Sequence, residues 1–418
     1  MEVAIIGSGI AGISASLFLS KKHNVTIYER NNYIGGHTNT KKVIIDNKEI
    51  NVDTGFIVFN KLNYPNLLNL FDFYNIDYEN SDMSLSVSNV DESIEWSGKS
   101  LKTIFSDTRN IFDIKFIKFL IDIINFNRLV KKDINILVKN HEPLGQWLAR
   151  KNFGYYFKEN YLVPMSAAIW SSPSNDILDY PISSLFSFFD NHKLLHNKKS
   201  RPQWLTVSKG GQSYIKKILE THDTNIILNS KIQEIRKGNN KIVIIDKNGK
   251  DKAFDHVIYA IHPERILEIK SNFDQKELKV LKLFKTSSNK AFLHNDASLM
   301  PKNKKNWSSW NVFSSKNEKK ISITYWMNKL QNIDNQYPLF VSLNPIKIPK
   351  ADSIYEKLNY DHPIYNKSSI FGQSKIDELQ GFNNQWYCGA WLGNGFHEAG
   401  ISSSIKISKN LNGIIPWR

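Results

Sequence analysis

The sequence predicts an α/β fold, a parallel sheet wound with helices, with a second α+β part threaded through it. Three observations predict it. The chain opens on a strand–helix–strand pattern; that character returns at about 205–262; and residues 286–345 after it alternate apolar and polar residues, as in Ile321-Ser322-Ile323-Thr324-Tyr325-Trp326.

The opening unit is compact. Residues 2–6 form an apolar run that stops at Gly7, as a buried parallel strand does. Residues 10–21 carry helical spacing, with Ile10, Ile13, Leu17 and Phe18 on one side, and Val25–Tyr28 reads as a second strand ending in Glu29. Segment 111–130 is nearly apolar all round, broken by a stripe at Lys115, Lys118, Asp122, Asn125 and Arg128. It predicts a long helix showing water only a narrow face, either a core helix or one that lines an apolar cavity or rests on a membrane. Further on, Gly210-Gly211 precedes a helix at 213–220, and strands are expected near 225–236, 241–247 and 255–261. Lys237-Gly238-Asn239-Asn240 and Asn248-Gly249 supply the turns between them. The last stretch, 385–412, reads as a strand, a glycine-rich turn and a closing helix.

Composition narrows the function. The formal charge is +15, but only eight of 55 basic residues are arginine, and the lysines are scattered. Nucleic-acid binding is not expected, because phosphate contacts recruit arginine forks; a peripheral contact with anionic membrane stays open. One cysteine, Cys388, excludes an internal disulfide framework. His262, His294 and His362 lack metal-ligand spacing, so no metal is expected. Met1 runs straight into Val3-Ala4-Ile5-Ile6-Gly7 without a charged leader, and no apolar run is long enough to span a bilayer, so the expected location is cytoplasmic.

The strongest motif is Gly7-Ser8-Gly9-Ile10-Ala11-Gly12. Gly7 permits the tight turn, Gly9 lets a pyrophosphate approach the backbone, and Gly12 allows close helix–sheet packing. The helix start faces the phosphates. Glu29 ends the second strand, where a carboxylate accepts ribose hydroxyls. Gly35-Gly36-His37-Thr38 follows closely, suggesting a loop folded back over the pyrophosphate, an arrangement of FAD rather than NAD.

Three separated blocks resemble the flavin-containing amine oxidoreductase superfamily: GSGIAG…YERNNYIGGHTNT…VDTGFIVFN (7–60), SKGGQSYIKKIL (208–219) with residues 231–263, and WYCGAWLGNGFHEAGISSSIKISKNL (386–411). The resemblance implies a Rossmann-like FAD-binding domain of the GR2/amine-oxidase type, residues 1–75, 200–262 and 375–418, interleaved with an α+β substrate domain, residues 76–199 and 263–374. It implies FAD bound by Gly7, Gly9, Ile10, Ala11, Gly12 and Glu29 at the adenosine and pyrophosphate. Arg30, Gly36, His37 and Thr38 would lie beside the phosphates, Gly55, Phe56 and Ile57 along the isoalloxazine, and the Ile232 backbone at the adenine. Gly389 and Ala390 would approach the ribityl chain, and Glu398, Ala399, Gly400 and Ile401 the pyrimidine edge, where a helix N-terminus stabilises negative charge. FLHNDASLMP (292–301), WSSWN (307–311), ITYWMNKLQ (323–331) and PLFVSLNP (338–345) are similar to a bacterial branch associated with genes for cyclopropane and other modified fatty acids.

The chain also departs from true amine oxidases. It has Gly35-Gly36-His37 where they show GGR, and Cys388 abuts the final Gly-Ala motif instead of lying upstream, so FAD is expected to be non-covalent. Neither their active-site lysine nor their aromatic cage finds a matching position. Relatives often carry an acid at Ala399 and a glycine near Ser403. The expected substrate is small and apolar, a fatty-acyl or lipid-like chain that is desaturated, saturated or isomerised by hydride exchange with flavin N5. The alternatives are an amine or polyene oxidase, and a non-catalytic lipid-binding protein on the same scaffold. Trp307, Trp310, Tyr325, Trp326 and Trp391 either wall an apolar pocket or pack as core. Tyr325, Trp326 and His397 are the catalytic candidates, His397 as a proton donor or flavin contact unless it is structural.

Overall fold

Val3, Ala4 and Ile5 are wholly buried, which puts the opening strand Glu2–Ile6 at the centre of a five-stranded sheet. The computed structural model describes residues 1–170, 177–196, 200–222, 224–315 and 320–417. The sheet runs in the order Asn225–Ile227, Asn24–Tyr28, Glu2–Ile6, His256–Tyr259, Gln385–Tyr387, and every pairing is parallel. Strands are added on both sides of Glu2–Ile6, so the crevice beyond Ile6 is a topological switch point, where α/β sheets bind ligands.

The first helix, Ile10–Leu19, is buried at all ten positions. One apolar face was expected. The closing helix, His397–Asn410, covers the other side: Ser404 Oγ donates to the Ala11 carbonyl at 2.7 Å, and a Cβ on Gly400 would stand 2.8 Å from Ile10 Cγ2. Small residues such as Gly12, Ser14 and Ala15 make burial on two sides feasible.

The strand expected over 225–236 is two strands in different sheets. Asn229, with φ +51°, and Ser230 donate their N–H groups to Asn31 and Glu29 carbonyls at 2.9 and 2.8 Å. That latch turns the chain, and Ile232–Lys237 begins an antiparallel sheet with Ile242–Asp246 and Asp251–Phe254.

A seven-stranded sheet forms the second layer system, in the order Ile354–Ile364, Lys285–His294, Phe340–Leu343, Lys320–Trp326, Trp310–Ser315, Leu85–Asn89, Ile94–Ser97. It is antiparallel except where Trp310–Ser315 runs parallel to Leu85–Asn89, a pairing between residues far apart in sequence. Its aliphatic face packs on helices around Phe126, Trp147, Phe157 and Phe186. Tyr78–Ser81 pairs with Trp204–Val207, so a small sheet crosses the expected boundary at residue 75.

The long helix spans Ile114–Leu137. Its narrow wet face was an incorrect expectation. Only Phe116, Phe119, Phe126, Val130 and Leu137 are buried, and isoleucines on the other side meet water. Nothing among the described residues covers that side. Among the described residues, no helix is long and apolar enough to cross a membrane.

Candidate functional site

Gly7 ends the central strand at φ +101°, a conformation open to glycine, and donates its N–H to the Tyr28 carbonyl at 2.8 Å. The turn lifts Ser8 and Gly9 above the sheet and starts the first helix. A Cβ on Gly12 would lie 2.0 Å from the Gly7 carbonyl oxygen, so helix and strand touch there. Gly9 is different. It sits at φ −66°, ψ 178°, and a Cβ there would meet nothing within 4 Å. The fold does not need glycine at position 9; free space in front of the helix does.

That helix start has no side-chain cap and no acid in its first turn. The closing helix also lacks a side-chain cap, at Phe396; the acid in its first turn, Glu398, is engaged by the backbone of Asn66 and Leu67. The two starts meet, because Gly400 packs on Ile10 and Ala11. Two positive helix ends thus converge beside open space, a setting suited to anionic or electron-rich groups.

The Gly35–Gly36 loop folds back on this start. Gly35 bridges to Gly9, its N–H donates to the Ser8 carbonyl at 3.1 Å, and a Cβ on Gly36 would stand 3.1 Å from Gly9 Cα. Glu29 is buried; its Oε2 accepts from the Ser8 N–H (3.0 Å) and Ser8 Oγ (2.7 Å), and its Oε1 from the Asn31 N–H (2.8 Å). A carboxylate has about four lone-pair positions, so one stays available for a ribose hydroxyl. Arg30 is exposed. Ile232 follows two residues after Ser230, whose N–H donates to the Glu29 carbonyl, which brings its backbone to the same corner.

Thr38, His397 and Phe56 form a second cluster. Thr38 Oγ1 lies 2.9 Å from His397 Nε2 and 2.7 Å from the Tyr214 hydroxyl, and the His397 ring stacks on Phe56 at 3.7 Å. Burial, reinforced by His37, pushes the His397 pKa down to about 3. An imidazole held there is neutral at ordinary pH and has no imidazolium proton to give. Its geometry is that of a clamp between the Gly35–Gly36 loop, the Gly55–Ile57 run and the closing helix. Gly55 and Phe56 lie against His37, whose carbonyl accepts from the Phe56 N–H at 2.8 Å.

At the other end, the Gly389 N–H donates to Ser403 Oγ at 3.0 Å, so Ser403 anchors the glycine-rich turn. The Ala390 carbonyl accepts the Gly393 and Gly395 N–H groups, both at 3.1 Å, closing that turn. Glu398 turns away from the crevice: its carboxylate accepts from the backbone of Asn66 and Leu67, each at 3.1 Å, and caps the Pro65–Phe73 helix. Of the expected pyrimidine-edge group, Gly400 and Ile401 are buried against the first helix's surroundings and Ala399 stays half-buried.

The aromatic wall does not form. Trp307 meets Trp326 at 5.5 Å, Trp310 meets Tyr325 at 5.0 Å, and Trp391 packs on Phe284 in another core. Tyr325 and Trp326 are neighbours in one strand, so they face opposite sides of the sheet. Tyr325 is core; Trp326 lines a surface cleft of about 280 Å³ among Asn80, Asp82, Asn328 and Lys329. Neither reaches the crevice as a member of one pocket.

The sequence placed His37 by the phosphates but did not join it to His262 and His362, which the structure gathers around it. His37 packs on Tyr360 at 5.1 Å and on His362 at 5.3 Å, while His262 follows directly on the Ala260–Ile261 backbone that flanks Gly7. His37 Nε2, His262 Nδ1 and His362 Nδ1 are buried without a hydrogen-bond partner among the described residues. Buried polar atoms are normally satisfied, so three orphans in one place point to a ligand. Burial holds His37 at about 4 and His362 at about 3, and lowers His262, each with help from a neighbouring imidazole in the case of His37 and His362.

These features fit a flavin dinucleotide: open space over Gly9, uncapped helix starts, a spare acceptor on Glu29 and orphaned donors or acceptors beside the loop. Comparison with known proteins agrees. The profile of the family described as flavin containing amine oxidoreductase matches residues 10–338. No curated protein matches in sequence. Among solved structures, a CLA-producing fatty acid isomerase from P. acnes is similar with TM-score 0.68 at 13% identity, covering 97% of this chain and 98% of its own. A putrescine oxidase variant gives TM-score 0.69 at 11% identity with 98% of each chain covered. A cyclohexylamine oxidase from Brevibacterium oxydans gives 0.70 at 11%, covering 98% of this chain and 99% of its own. At such identities the likeness establishes the fold, and the profile match establishes the family: the chain belongs to the flavin-containing amine oxidoreductases and is a flavin-dependent oxidoreductase of that family.

Proposed function

We propose that the chain binds FAD non-covalently across the switch-point crevice and works on an apolar, fatty-acyl or lipid-like substrate by desaturation, saturation or double-bond isomerisation. The observation that carries the substrate class is the apolar character of the cluster, whose nearest acids, Asp361 and Glu264, are engaged with Arg265 and with Thr286. His37, His362 and His397 are held neutral by burial, and Ile57, Tyr360 and Tyr365 belong to one apolar core with Phe396 packed against it. A charged amine entering there would shed its hydration with only acids already engaged by Arg265 and Thr286 nearby, at a cost of several kcal/mol. An acyl chain loses nothing by the same move. The fold's likeness to a CLA-producing fatty acid isomerase supports this reading.

Bound flavin supplies hydride acceptance and donation. The chain's own part is to hold and shelter: uncapped helix starts at Gly9 and Phe396 favour negative charge, Thr38 and His397 fix the loop, and the apolar walls exclude water. The test is anaerobic mixing with unsaturated fatty acids and with primary amines, following the visible flavin bands and the products. Spectral change or a new double-bond position with fatty acids, and none with amines, is the expected result. Bleaching by amines alone would sink the substrate half of the reading, in favour of an amine oxidase.

A further inference from the structure

We infer that the exposed side of the Ile114–Leu137 helix is a docking surface for an anionic bilayer. Phe112 is 88% exposed, Ile114 83%, Ile121 50% and Ile124 49%, with Ile117 between them. Positions 114, 117, 121 and 124 recur at helical spacing and share one face, opposite the buried Phe116, Phe119 and Phe126. Exposed apolar side chains scattered singly are ordinary; five in a thirteen-residue stretch, on one face and at the helix's leading edge, form a patch.

The charges beside this stripe choose the partner. Lys118 lies between Ile114 and Ile121 on the surface, and Arg128 and Lys132 continue the same face; all three are exposed. The helix's acids, Asp113, Asp122 and Asp133, are half-buried. Asp113 caps the helix through the Lys115 N–H, and Asp122 Oδ2 is turned towards Gly154. The wet face is therefore apolar and cationic, with its acids drawn aside. Apolar residues that enter the acyl boundary and long basic side chains that reach phosphates are what an anionic lipid surface accepts. A second copy of this chain fits worse, because its matching patch is equally cationic and brings no free acid to meet Lys118, Arg128 and Lys132. The overall charge of +15 adds a long-range attraction. Since no described helix can cross a bilayer, this one would lie in the interface plane.

The experiment is co-sedimentation of the full-length, flavin-loaded chain with two kinds of vesicle: phosphatidylcholine alone, and phosphatidylcholine with about one-third phosphatidylglycerol. Ile114→Ser/Ile121→Ser removes apolar stripe residues; Ile44→Ser/Ile348→Ser removes two exposed isoleucines elsewhere and serves as control. All these sites face water, so melting temperature and flavin spectrum should match the native chain. Expected are binding to the anionic vesicles at least about tenfold above the neutral ones, weakening with salt, a loss of at least about tenfold in the stripe variant, and none in the control. Native protein that ignores anionic vesicles, a stripe variant that binds like the native chain, or a native dimer that the stripe substitutions split without any vesicle binding would each overturn the proposal. Sedimentation reads binding alone, so its outcome does not depend on which substrate the flavin serves.

Discussion

A single side chain distinguishes the two uses of glycine in the first turn. Gly12 is a packing glycine: a methyl group there would sit 2.0 Å from the Gly7 carbonyl oxygen, a backbone atom that cannot rotate aside. Gly12→Ala should therefore lower stability by about 3 kcal/mol, the upper range for overpacking, measured as a fall in the urea midpoint; an unchanged midpoint would show that helix and strand part easily. These glycines, with Glu29, were legible because their spacing belongs to one local turn whose geometry each residue type reveals. The imidazole cluster was not. His37, His262 and His362 come from three distant segments, and only the sheet topology brings them together, so no local spacing could announce it. The aromatic wall failed for a related reason: four of the five aromatics are near one another in sequence, but alternation along the strand sends Tyr325 and Trp326 to opposite faces.

Among the elements, strands and helices were legible wherever one periodicity ruled. The break at Asn229 was not, because a latch to the loop after Glu29 overrides strand propensity there. The wet side of Ile114–Leu137 was misjudged, because an apolar residue is no guarantee of a neighbour to cover it. Glu398 was expected at the cofactor. The structure gives it to the Pro65–Phe73 helix, whose start has Tyr64 as its N-cap and no side-chain bond from that residue. Glu398→Ala should cost about 1 kcal/mol, as lost caps do, while the visible spectrum of the bound flavin keeps its shape. A colourless but equally stable variant would return Glu398 to the cofactor site.

Across the molecule, neutral buried histidines make stability depend on pH. Unfolded, a histidine binds its proton near 6.5. Folded, His37, His192 and His294 are held by burial at about 4, and His362 and His397 at about 3. Between those values the unfolded chain binds more protons, so the stability present above pH 6.5 is lost as pH falls towards 3, by up to about 1.4 kcal/mol per pH unit for each histidine. Asp53 acts the other way. Burial raises it to about 6, so it favours the folded chain as pH falls through that value, offsetting roughly one histidine. The urea midpoint should drop steeply from pH 6.5 to about 4.5. A flat midpoint across that window would mean that these imidazoles are solvated.

The proposed chemistry depends on segments from both ends of the chain converging to hold one flavin dinucleotide, with its phosphates over Gly9. Gly9→Val tests this directly, since the backbone angles at position 9 suit any residue and a Cβ there would meet no protein atom. Purified native and variant chains are compared for melting temperature and for FAD released per chain on denaturation. The flavin-free forms should melt alike, within about 0.5 kcal/mol as for an ordinary surface substitution, with FAD in the native chain and almost none in the variant. A folded Gly9→Val chain that retains native levels of FAD would refute the convergence.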